Sequence, residues 1–231
     1  MHYVTAPWID LRSKPEPHSS GSLRVKDPLQ ETQLLKGEKI NILQNCGQWL
    51  FIEALDQPVY EKDSLIPYKG WILNENIAAE PPLFAQKPII PYDQFINLAL
   101  TFTNVPYLWG GLTFCFPEDD NSRGIDCSGL IHYLYRRCGK VIPRNSADQY
   151  KFSQHIQLKD LQPRDLLFLS LNKIYHVMIY LGGEIWFEAT SDSMNVRQAT
   201  TTQKLGIPLS EMIEGLPPKD NIQAFAGKIN L

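Results

Sequence analysis

The sequence predicts an α+β protein in two parts: a small all-strand barrel, then a helix-first unit that ends in an antiparallel sheet. Two observations carry this. The hydrophobic periodicity changes near residue 90. Between the two patterns lies EPPLFAQKPIIP, residues 80–91, whose four prolines make a stiff, non-helical connector. The expected division is therefore residues 1–80, a linker over 81–91, and residues 92–231.

Upstream of the connector, Lys39–Asn45 and Gln48–Ala54 are runs of strand-formers around a Cys46-Gly47 turn, and Gly70–Leu73 is a third short run. Arg12–Pro28 is rich in Ser, Pro, Lys and Gly and reads as a long loop. Short strands, tight turns and no helical period suggest a small β-barrel. Downstream, Tyr92–Thr103 sets Phe95, Ile96, Ala99, Leu100 and Thr103 on one helical face. A Gly-rich loop follows at Tyr107–Gly111. A second helix is expected over Cys127–Cys138, with Asp126 or Ser128 capping its start and Gly139 stopping it. Strands return at 165–170, 174–181, 184–190 and 223–229. The Gly182-Gly183 turn folds two of them into a hairpin. Helices first and consecutive strands afterwards indicate an antiparallel sheet.

The 231 residues carry a formal net charge of −3. That argues against nonspecific binding to nucleic acid or anionic membranes, which needs a basic excess. No run of about 18 apolar residues is present, so no segment is expected to span a membrane. The cysteines are Cys46, Cys115, Cys127 and Cys138; none forms a C-x-x-C pair, so zinc-ribbon and thioredoxin readings fail. Free thiols suit a reducing compartment. MHYVTAPWIDLR lacks a basic stretch followed by an apolar one, so a cytoplasmic protein is expected. Removal of a leader would instead make it periplasmic or secreted.

Cys127 lies in Gly124-Ile125-Asp126-Cys127-Ser128-Gly129, at the expected start of a helix. Backbone N–H groups there stabilise a thiolate, and the following apolar helix holds the sulfur rigidly. A nucleophilic cysteine needs a base, and the base an orienting partner. His2 and His18 lie near the terminus or in the first loop, His132 points away along the helix, and His155 sits in a polar loop. His176 stands alone in the strand-like run Ile174–Tyr180, where a polar residue is costly without a partner. The next strand carries Glu188, equally in need of one, and the two are expected as cross-strand neighbours. Asp126 either caps the helix or binds a cation such as a substrate ammonium.

The motifs YLWGG, DCSGL, PRNSADQY, HVMIYLG and WFEAT, in this order from about Tyr92 to Leu231, resemble the NlpC/P60 cysteine peptidases. The resemblance implies a papain-like fold, with a Cys-bearing helix packed on an antiparallel sheet that bears the histidine. It implies Cys127 as nucleophile, His176 as base and Glu188 as third residue, at a position where His is commoner. The first unit resembles a bacterial SH3-like domain, through Leu34–Glu38 and Lys69–Ile72. The combination resembles the γ-D-glutamyl-L-diamino acid endopeptidases of the dipeptidyl-peptidase VI type. It implies hydrolysis after D-Glu in murein peptides such as L-Ala-γ-D-Glu-diaminopimelate, in wall-peptide recycling. Asp126, Ser128 and Ser146 would then bind the substrate, Tyr107 would lie near the oxyanion, and Tyr68 would come from the barrel. No metal or organic cofactor is implied. The competing expectations are a secreted hydrolase of intact wall peptides and a non-catalytic wall-peptide binder.

Overall fold

A computed structural model describes residues 1–18, 27–83, 88–113 and 124–230. Cys115 and residues 84–87 of the expected linker lie outside these. The alternating runs build two larger antiparallel sheets, and every helix among the described residues follows residue 91.

The first sheet takes β1 (His2–Val4), β2 (Trp8–Arg12), β3 (Gln30–Leu35), β4 (Lys39–Cys46), β5 (Trp49–Glu61), β6 (Ser64–Leu73) and β7 (Ile77–Ala78). Its order is β3-β2-β6-β5-β4-β1-β7. The inward positions Val4, Leu11, Leu34, Ile40, Leu50, Ile52 and Ile72 form its core. Each such side chain contributes roughly 1.5–3 kcal/mol by leaving water. β5 runs through Pro58, well beyond the expected stop at Ala54. A register shift against β6 between Ala54 and Pro58 accommodates the proline, which cannot donate to the ladder. β2 and β3 are strands that the sequence reading left unassigned or inside turns.

The expected helix from Tyr92 begins as a 3-10 turn, Tyr92–Gln94, before α1 (Phe95–Leu100) buries Phe95 and Ala99. The small pair β8 (Leu112–Thr113) and β9 (Gly124–Ile125) leads into α2 (Cys127–Arg137). Cys127 through Tyr135 are all buried, which makes α2 the central helix. Asp126 caps it by accepting from Gly129 N at 2.6 Å, and Arg136 and Arg137 face the negative end of its dipole. Gly139 leaves it at φ +84°.

α3 (Ser146–Phe152) follows, then β10 (Gln154–Ile156), β11 (Leu166–Ser170), β12 (Ile174–Gly182), β13 (Ile185–Thr190) and β14 (Asn195–Thr200). α4 (Thr201–Leu205), α5 (Leu209–Ile213) and β15 (Gln223–Lys228) complete the chain. The second sheet has order β10-β15-β11-β12-β13-β14. Strand alternation divides its residues between two cores. Phe168, Val177, Ile179, Phe187 and Ala189 pack with α2. Leu167, Met178, Tyr180 and Trp186 pack with Leu205, Leu209 and Met212 of α4 and α5. No described helix is long and apolar enough to cross a membrane.

Candidate active site

His176 and Glu188 are brought together across the β12–β13 hairpin. Continuing the register Ile179↔Phe187 puts Glu188 opposite Met178, so His176 is its diagonal neighbour. His176 Nε2 lies 2.7 Å from Glu188 Oε2. Cys127 lies close enough to interact with the imidazole, so the three side chains form one cluster. All three side chains are buried.

Burial alone would depress His176. Its hydrogen bond and charge interaction with Cys127, and then those with Glu188, outweigh burial and raise it to about 9. Glu188 moves the other way. Burial would raise it, but His176 first and Lys204 second hold it at about 2. Oε2 of Glu188 also meets Lys204 Nζ at 3.1 Å, and Oε1 accepts from both Nε and Nη2 of Arg197 at 3.1 Å.

Asp126 pairs with Arg144, which is fully buried. Nη1 donates to Oδ1 and Nη2 to Oδ2, each at 2.9 Å. The remaining guanidinium donors reach Ser128 Oγ at 3.0 Å, Gly111 O at 3.1 Å and Thr32 Oγ1 at 2.7 Å. All five donors of one arginine are thereby used, and one of its partners comes from the first sheet. Asp126 is thus helix cap and Arg144 partner together, and its charge is already matched. Gly129 is held to glycine here: a Cβ would sit 2.6 Å from Gly111 O and 3.2 Å from Arg144 Nη2.

Tyr107 is buried near Cys127 and Asp126; burial first, then these two groups, push its hydroxyl up. Ser146 opens α3, directly after Asn145. The Asn145 amide donates to Tyr68 OH at 3.2 Å, and Tyr68 donates to Glu31. Burial and then Glu31 push the Tyr68 hydroxyl up. Of the other histidines, His18 sits between Asp10 and Asp27, and His155 stacks on Tyr150 as part of β10 rather than a loop. His132 is buried inside α2 with Nδ1 on Ile142 O. Cys46 is exposed and Cys138 buried, both free.

Glu31, Thr32, Arg197 and Lys204 went unread in the sequence. Arg197 had one usable signal: it lies in an alternating run one strand after a lone carboxylate. It pairs with Glu188 in register.

Residues 104–205 match the family described as NlpC/P60. A gamma-D-glutamyl-L-lysine dipeptidyl-peptidase of Bacillus subtilis is 22% identical over 242 residues, which is 78% of each chain. Peptidoglycan endopeptidase RipB of Mycobacterium tuberculosis is 36% identical over 97 residues. That match spans 40% of each chain. Among solved structures, an NlpC/P60 family protein from Bacillus cereus is similar at TM-score 0.71, over 87% of this chain and 94% of that one. Its 16% identity makes this a likeness of fold. The segment that carries Cys127, His176 and Glu188, residues 104–205, is thus similar to the NlpC/P60 family.

Proposed function

We propose that this protein is a cysteine-type endopeptidase of peptidoglycan peptides. It cleaves the γ-D-glutamyl–diamino acid bond of short stem peptides that have a free N-terminal L-Ala. The single observation that carries this is the Cys127–His176–Glu188 line at the start of a buried helix. A recycling role in the cytoplasm belongs to the same reading, and the free thiols fit a reducing compartment.

The geometry supports the following chemistry. His176 takes the Cys127 proton, and the sulfur attacks the γ-glutamyl carbonyl. Backbone N–H groups at the start of α2 receive the oxyanion, a contribution of about 3–4 kcal/mol to the barrier. The imidazolium then gives its proton to the leaving amine as the C–N bond breaks. Water, deprotonated by His176, hydrolyses the thioester and frees Cys127.

In this reading residues 1–80 are an SH3-like barrel that closes the far end of the cleft. Tyr68, Asn145, Ser128 and Ser146 contact the substrate there. Asp126, already paired with Arg144, shares an ammonium with Glu31, the nearby carboxylate bonded to Tyr68. Cys127→Ala is expected to abolish turnover of L-Ala-γ-D-Glu-diaminopimelate while leaving peptide binding by calorimetry intact. Turnover near that of the parent protein would remove Cys127 as nucleophile.

A further inference from the structure

Glu188 is fully buried, yet it does not face His176 alone. β14 brings Arg197 to Oε1 through two N–H groups at 3.1 Å, and α4 brings Lys204 Nζ within 3.1 Å of Oε2. Lys204 is itself tied to Asp192 Oδ2 at 2.6 Å. The supports are rigid. α4 opens on a reciprocal capping box between Thr200 and Gln203, and Leu205 is buried beneath it. Trp186 Nε1 holds Thr201 Oγ1 at 2.9 Å. A lysine this enclosed, only 10% exposed, has the geometry of a fixed group rather than a solvated tether.

The local charges cancel in two layers. Glu188 and Asp192 balance Arg197 and Lys204, which leaves the Cys127–His176 couple in a neutral surround. Further polar groups near this cluster are Thr190 Oγ1, which accepts from Lys204 Nζ at 3.3 Å, and the half-exposed Tyr175 hydroxyl. We propose that Lys204 and Arg197 are positioning residues of the reaction. They neutralise Glu188 and aim its Oε2 at His176, so that a carboxylate can orient the imidazole without trapping it as a weak acid. The imidazolium must still release its proton to the leaving amine, and general acids work best near the operating pH. His176 already reaches about 9 with both cations in place, so an uncompensated carboxylate would carry it further.

This inference rests on the nucleophile–base reading of Cys127 and His176, and its test separates the two. The full-length protein is alkylated with iodoacetamide across a pH series, which reads the Cys127–His176 couple without any peptide. Lys204→Met should move the inflections of the Cys127 alkylation rate up by about one pH unit. Lys204→Arg should restore them. Should Lys204→Met fail to fold, Arg197→Met, whose side chain is one-third exposed, should give the same direction of shift. On the peptide, Lys204→Met should lower kcat and leave KM unchanged. Alkylation profiles that superimpose in the folded variants would overturn the positioning inference, whatever the peptide result. A shifted profile supports it, even if no γ-glutamyl peptide is cleaved and the substrate reading falls.

Discussion

At the scale of single residues, the account turns on which groups titrate inside the fold. His176 is raised from its ordinary 6.5 to about 9, so its contribution to stability is full below 6.5 and is lost as pH climbs through 9. His132 is the opposite case. Burial, first, and then Arg136 and Arg144 hold it near 3, so the folded state refuses a proton that the unfolded chain accepts below 6.5. Glu188, held near 2, adds a second acid loss as pH falls below 4.5. Thermal stability is therefore expected to peak near pH 6.5. Cys127→Ala, which removes the first of the groups that raise His176, should flatten the alkaline side alone. Calorimetric Tm values across pH 4–10 check this; an unchanged alkaline slope would contradict the Cys127–His176 coupling. The His176–Glu188 pairing was legible in the sequence because each is a lone polar residue in an apolar strand, and Cys127 stood out by its polar, turn-forming context at a helix start. Arg197 and Lys204 were not legible. Their approach to Glu188 depends on the register of β14 and on the direction in which α4 leaves it.

At the scale of elements, α2 is the part whose start governs the site. Its cap, Asp126, is held by an arginine from the segment before α3, and that arginine is also bonded to the 107–113 loop through Gly111 O. Arg144→Met would leave a buried carboxylate with no countercharge. The expected loss is about 3–5 kcal/mol of stability, measured by urea unfolding. A loss under about 1 kcal/mol would mean that Arg144 does not organise the cap. The helix and the β12–β13 hairpin were readable from 3.6-residue and two-residue periods and from the Gly182-Gly183 turn. β5 was under-read because Pro58 masks a strand that continues by shifting register. The short α3, α4 and α5 were missed because five to seven residues give too little period to recognise.

At the scale of the whole molecule, the first sheet meets α2, Arg144 and the 109–113 segment through largely buried polar groups. Thr32 accepts from Arg144 and donates to Gln57; Gln57 donates to Glu38, which pairs with Arg136 of α2. Gln33 Oε1 accepts from Leu112 N at 3.0 Å and Thr113 Oγ1 at 2.8 Å, and Gln30 O accepts from Trp109 Nε1 at 3.1 Å. Buried bonds of this kind hold orientation tightly, because breaking one strands its partner away from water. None of these pairs was visible in the sequence, since each joins residues 19 to 112 positions apart. Their consequence is that Tyr68 and Glu31 stand at a set place beside Asn145. In the proposed reading the free amine of the peptide is held there. The most direct measurement is to incubate the protein with L-Ala-γ-D-Glu-diaminopimelate and with its N-acetyl form, following both by mass spectrometry. The account predicts release of L-Ala-D-Glu from the free-amine peptide and no cleavage of the acetylated one. Equal cleavage of both would contradict it and point to an open cleft acting on intact wall peptides.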